Sequence, residues 1–176
     1  MFAIQGEKMK KTVIIINGTG GVGKDTLCNG VKSAYKVRSV SSVDKIKEIA
    51  RIGGWKGEKD DKGRLLLVQL KQAFVAYNDL PFLHMQQEYQ SFLQTDEVIM
   101  FVHIREPLEI DKLKTALGSD VCKTLLVTRD NGVQWQNEVD KGVNEYEYDY
   151  YFDNNAPLEQ SKENFIALMK EIIEDK

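Results

Sequence analysis

Short apolar runs alternate along this chain with longer stretches of helical period, the pattern of a parallel sheet covered on both faces by helices. Five runs read as strands: 12–17 (TVIIIN), 36–41 (KVRSVS), 97–104 (EVIMFVHI), 123–128 (KTLLVT) and 148–153 (YDYYFD). Several are continuously apolar, as strands covered on both faces should be. Six helices are expected between and after them, over 24–35, 44–52, 62–79, 82–94, 107–117 and 157–174. The last has the clearest stripe, with Leu158, Phe165, Leu168, Met169, Ile172 and Ile173 on one side. It places Pro157 in the first turn, where a missing amide donor costs nothing. The segment 129–147 is polar, contains glycine and has no clean period, so it is expected to be a lid.

Length and charge narrow this picture. The 176 residues fit one domain, taken here as 12–176, preceded by a short disordered lead-in over 1–11 that lacks a signal-peptide core. No apolar run approaches the roughly 20 residues of a membrane helix, so no membrane partner is expected. Lys plus Arg number 24 against 27 Asp plus Glu, which does not supply the positive field that nucleic-acid binding needs. Cys28 and Cys122 read as reduced thiols of a cytoplasmic protein. With His84 and His103 they offer no zinc spacing.

The chemistry-bearing signal is the segment 18–26, GTGGVGKDT, set between the first strand and a helix. Gly18, Gly20, Gly21 and Gly23 let the backbone turn tightly, so that the amides of the loop, Val22 included, point inward as an anion nest at a helix N-terminus. Lys24 follows as the point charge for the outer phosphates, which is the chemistry of the G-x-x-x-x-G-K pattern. The position after the lysine, normally Ser or Thr, is Asp25, and the hydroxyl comes one residue later at Thr26. The implied cofactors are ATP and magnesium.

This GKDT variant resembles the nucleoside monophosphate kinase group. The resemblance implies that Thr26 touches phosphate and that the metal is held largely through water, with Asp25 and Thr26 as its candidates; Asp25 reads alternatively as charge compensation at the helix N-terminus. The stretch 41–51 (SSVDKIKEIAR), then Gly54-Trp55, Asp60, Lys62 and Arg64, looks like the acceptor region of phage and bacterial deoxynucleoside monophosphate kinases. So does the ending, where a strand leads to Asn154-Asn155 and a helix. Animal-type phosphomevalonate kinases share the GKD loop, and 66–73 (LLVQLKQA) is similar to theirs. The third strand departs from the deoxynucleotide enzymes, which end it with aspartate-x-arginine; here it reads His103-Ile104-Arg105, with the acidic residue displaced to Glu106. From the resemblance follow a three-layer α/β P-loop NTPase fold, a five-stranded parallel sheet of order 2-3-1-4-5 and an acceptor region near 42–95.

Phosphoryl transfer is positioning plus charge neutralisation, so the acceptor side should carry cations. Of the five arginines, Arg105 and Arg129 stand at strand C-terminal ends, where open parallel sheets hold their ligands. They are the catalytic candidates with Lys24. The plain alternative for Arg105 is a salt bridge to Glu106 or Glu109, and for Arg129 solvation. Asp44 and Arg64 are the substrate-binding candidates; an N-cap alone accounts for Asp44, and Arg64 also suits an exposed helical face rich in Lys and Glu. Trp55, Phe74 and Tyr77 read as core packing, and the tyrosines Tyr146, Tyr148, Tyr150 and Tyr151 as strand packing. The function expected is ATP-dependent transfer to a small phosphorylated acceptor, a deoxynucleoside monophosphate first and a non-nucleotide metabolite second. A nucleotide-dependent switch or a binder without transfer is the remaining alternative, in a monomer or homodimer.

Overall fold

A computed structural model describes residues 10–130 and 138–175. Five parallel strands form one sheet in the order β2-β3-β1-β4-β5: β1 Thr12–Asn17, β2 Val37–Ser41, β3 Ile99–His103, β4 Cys122–Thr128 and β5 Tyr150–Asp153. The expected order and the three layers are therefore present. Every residue of β1 is buried, because this central strand is paired on both edges and covered on both faces. Its side chains alternate: Val13 and Ile15 enter one core with Met100 and Val102, while Ile14 and Ile16 enter the other with Phe101 and Leu125.

Helices α1 Lys24–Val31 and α7 Leu158–Glu174 cover the second of these cores. Phe165 of α7 stacks on Phe101 at 6.3 Å between ring centroids and meets Phe152 edge-on at 5.0 Å. Pro157 caps α7 from just outside, one residue before the position expected for it. Helices α4 Leu80–Leu93 and α5 Pro107–Leu117 cover the first core through Met85, Phe92, Ile110 and Leu113. Helix α6, Glu138–Glu145, contributes Val143 to the same core. It lies inside the segment expected to be an unstructured lid; residues 131–137 of that segment fall outside the described residues.

Helices α2 Asp44–Ile52 and α3 Asp61–Asn78 follow β2. Asp60 caps α3, its carboxylate accepting from the Gly63 amide at 2.8 Å. The orientation of α3 corrects one expectation: Tyr77 is 83% exposed rather than packed, and Lys71 points inward. Just before β1 the Lys11 ammonium donates to the carbonyls of Phe92, Thr95 and Glu97 at 2.6–2.8 Å. Among the described residues no helix is long and apolar enough to cross a membrane.

Candidate functional site

The loop 18–23 leaves the C-terminal end of β1 and turns into α1 through Gly23, which occupies the left-handed region at φ 91°. Two of its glycines are required by close approach. A Cβ on Gly18 would stand 2.3 Å from the Val127 carbonyl oxygen, and one on Gly23 would stand 2.6 Å from the Asn154 side-chain nitrogen. Both positions also have φ between +90° and +145°, which L side chains rarely adopt. Lys24 opens α1 and folds its ammonium back over the loop, donating to the carbonyls of Gly18 and Thr19. Asp25 and Thr26 are exposed on the first turn.

Buried amides hold this loop from both sides. Asn17, 1% exposed, accepts from the Gly18 amide at 2.8 Å through its side-chain oxygen and donates to the Arg105 carbonyl at 3.2 Å and the Tyr148 hydroxyl at 2.9 Å. The Tyr148 hydroxyl donates in turn to the Val143 carbonyl at 2.9 Å, and burial raises its phenol pKa to about 12, so it stays a neutral donor at physiological pH. One side chain thus ties the loop to the end of β3 and to helix α6. On the far side Asn154 donates to the Val22 carbonyl at 2.7 Å, while its backbone amide is anchored to Thr128 at 2.8 Å.

The ends of β2 and β3 build the neighbouring wall. Ser42 donates its amide to the His103 carbonyl at 3.2 Å, and the Asp44 carboxylate accepts from the Ser41 amide at 2.7 Å. Asp44 is the first residue of α2 rather than its N-cap, which is Val43, so its carboxylate holds the β2 turn rather than the helix end. His103, the last residue of β3, has its ring nitrogen 3.1 Å from the Ser39 hydroxyl. Burial lowers its imidazole pKa, with Asp25 opposing and Lys24 adding to the shift, so the ring is neutral at physiological pH.

Glu106, the acidic residue that follows β3, is bound to a lysine of α3. The Lys71 ammonium holds it at 2.6 Å and Glu109 at 2.9 Å. Burial pushes both carboxyls up; for Glu106 the adjacent ammonium outweighs that and leaves it below its ordinary value, whereas Glu109 remains above.

Beside this triad opens a cavity of about 180 Å³ at the C-terminal end of β3. Val75, Phe82, Met85, Ile104, Leu108 and Leu113 make it largely apolar. Its charged rim is internally paired, Asp79 with Lys112 and Glu109 with Lys71. Ser42 and Ile104 bring it to the sheet edge that carries the loop.

No protein-family model and no curated protein matches the sequence. Solved structures do match. The tunicamycin resistance protein of Deinococcus radiodurans has a TM-score of 0.57 at 12% identity, over 91% of this chain and 96% of that one. Shikimate kinase from Aquifex aeolicus vf5 has a TM-score of 0.53 at 10% identity, over 90% and 96%. A gluconokinase from Sinorhizobium meliloti 1021 has 0.52 at 12%, over 96% of each chain. The fold is that of the P-loop kinases.

In a P-loop fold, Arg105 and Arg129 leave the ends of β3 and β4, on the two flanks of the loop, and both side chains are exposed. Arg64 lies apart: α3 reaches the cavity through Val75, eleven residues on, which is about 16 Å along a helix. Trp55 lies outside the cavity too, with the Arg51 guanidinium 5.7 Å over its ring and its indole nitrogen donating to Glu58. Both cysteines are buried and their thiols raised by that burial to about 12, so neither is a thiolate nucleophile. Asn17 and Tyr148 escape sequence reasoning as site residues. An amide ending a wholly apolar strand, directly before the glycines, was the available signal.

Proposed function

We propose that the chain transfers the terminal phosphoryl group of ATP to a small phosphorylated acceptor, preferably a deoxynucleoside monophosphate. The observation that carries this is the pairing, on one sheet edge, of a glycine loop closed over by Lys24 with an apolar cavity at the end of the next strand. In the reaction an oxygen of the acceptor phosphate attacks the terminal phosphorus in line, the bridging bond to the second phosphate breaks, and ADP leaves. Loop amides and Lys24 would hold the donor, and Arg105 and Arg129 would neutralise charge on the transferring group. Among the described residues no group of three or more His, Cys, Asp or Glu could hold a metal by itself. Exposed Asp25 and Thr26 fit a magnesium held by nucleotide phosphates and reached through water, where it would neutralise phosphate charge.

The cavity narrows the acceptor. An apolar lining with paired rim charges suits a heterocyclic base better than the polyhydroxylated acceptors named in shikimate kinase and gluconokinase. A branched hydrocarbon would suit it as well, which favours a phosphorylated isoprenoid precursor as the second reading. A binder without transfer is favoured by a single feature, the engagement of Glu106 by Lys71.

Incubation with Mg-ATP and a panel of deoxynucleoside monophosphates and phosphorylated metabolites, followed by ADP release, tests the assignment. Acceptor-dependent ADP is expected, and Lys24→Ala should reduce it by at least a hundredfold in a protein that remains folded. Turnover independent of acceptor, or unaltered in a folded Lys24→Ala variant, contradicts it.

A further inference from the structure

Asn17 ends β1, and strand alternation puts its side chain on the same face as Val13 and Ile15, in the core closed by α5 and α6. A buried amide in that apolar layer needs partners. Its three partners differ in kind. The bond to the Gly18 amide joins neighbours in the chain, and the bond to the Arg105 carbonyl is long at 3.2 Å. The bond to the Tyr148 hydroxyl, at 2.9 Å, is the short one that comes from a distant part of the chain. Tyr148 is itself buried, and its oxygen is aimed by the bond it donates. That proton goes to the Val143 carbonyl in the last turn of α6, one of those that a helix end leaves without an intrahelical donor, so a lone pair is left for Asn17. The donors thus run in one direction, from Gly18 through Asn17 and Tyr148 to α6.

We propose that Tyr148 is a positioning residue, a role that rests on the phosphoryl transfer proposed above: through Asn17 its hydroxyl holds the root of the phosphate loop against the backbone of Arg105. The two ends that Asn17 bridges belong to different halves of the reaction. Gly18 opens the loop that would hold the donor, and Arg105 carries the cation that would act on the transferring group. The register of β1 with β3 ends at Ile16 and His103. The Asn17 amide supplies the next link between these two strand ends, and the Tyr148 hydroxyl fixes the amide. Because burial pushes the phenol pKa up to about 12, the line keeps its direction across the working pH range. Tyr148 is not among the residues that line the cavity, so its influence falls on the alignment of the reacting groups rather than on acceptor binding.

Tyr148→Phe removes the hydroxyl and keeps the ring that packs on Tyr146 and Tyr151, at 4.9 and 6.0 Å between centroids. In the full chain, amide hydrogen exchange at Gly18 should accelerate at least about tenfold relative to Ile15, whereas a general loosening of the fold would speed both alike. Acceptor-dependent ADP release should show kcat lowered about tenfold with the acceptor KM unchanged, the signature of an interaction made in the transition state. Since Tyr148 acts through Asn17, adding Tyr148→Phe to Asn17→Ala should lower kcat no further. If the Asn17→Ala protein does not fold, the exchange ratio of the single variant carries the decision. An exchange ratio that stays at its wild-type value, an unaltered kcat, or losses that add in the double variant overturns the role of Tyr148. A wild-type chain inactive toward every acceptor overturns the transfer reaction instead, and the exchange ratio still shows whether the hydroxyl holds the loop.

Discussion

Asn17 and Asn154 each commit a buried side-chain amide to the backbone of the glycine loop, and together they determine how that loop is held. A ring of amides can bind phosphate tightly only if it is already in place before the ligand arrives, since ordering it on binding would consume part of the interaction energy. Asn154 is the cleaner of the two to remove, because it has one side-chain contact to the loop, its 2.7 Å bond to Val22. Asn154→Ala leaves that carbonyl without its donor, which costs about 1–3 kcal/mol. We expect a lower urea midpoint with an unchanged denaturant slope, and Mg-ATP binding weakened about tenfold as the loop loosens. Equal stability and equal affinity in calorimetry would show that the loop holds its shape without the amide. The positions of both amides were legible, but their partners were not. Tyr148 meets Asn17 across 131 positions, and a tyrosine in an aromatic-rich run gives no sign that its hydroxyl faces a loop so distant in sequence.

Elements differ in how openly they announce themselves. β1 and α7 were readable because burial on both faces, or on one stripe, leaves a period in the sequence that short-range physics fixes. α6 was missed, since the polar, glycine-containing run around it masks a short helix that enters the core through Val143. α3 was recognised as a helix but not oriented: apolar on nearly every side, it carries no stripe to say which face is inner. Its inner face became clear only with Lys71, whose charge is balanced by two carboxylates from α5 and the turn before it. That triad makes a prediction at this scale. Lys71→Met removes the ammonium from two partly buried carboxylates and destabilises the α3–α5 contact by about 1–3 kcal/mol at neutral pH. With the cation gone, burial and mutual repulsion hold both folded-state carboxyl pKa values above their unfolded ones. The folded state then takes up protons more readily than the unfolded chain, so the variant's loss shrinks as pH falls from 7 toward 4 and grows as it rises. A urea midpoint difference that is flat across that window contradicts the assignment.

At the scale of the whole molecule, class and element order were legible, but the strand order was not. Alternating strands and helices imply a parallel sheet and leave its order open; the order 2-3-1-4-5 came from the resemblance carried by 18–26, and the sheet has it. That order puts the loop of β1 between the ends of β3 and β4, so Arg105 and Arg129 flank it from opposite sides. It also puts the cavity over β3 beside it. The cavity was less legible because its wall is assembled from α3, α4, α5 and the ends of β2 and β3, with apolar residues whose exposure depends on how the three helices meet. Phosphoryl transfer by this chain requires polyphosphate to be held by backbone amides between Gly18 and Thr26. Amide chemical-shift mapping on the full-length chain during titration with Mg-ATP addresses this most directly. Saturable shifts concentrated at residues 18–26 are expected, with those of Val22 and Gly23 among the largest and all of them lost in Lys24→Ala. Saturable shifts that leave residues 18–26 unmoved, or no binding by a folded chain, would contradict it.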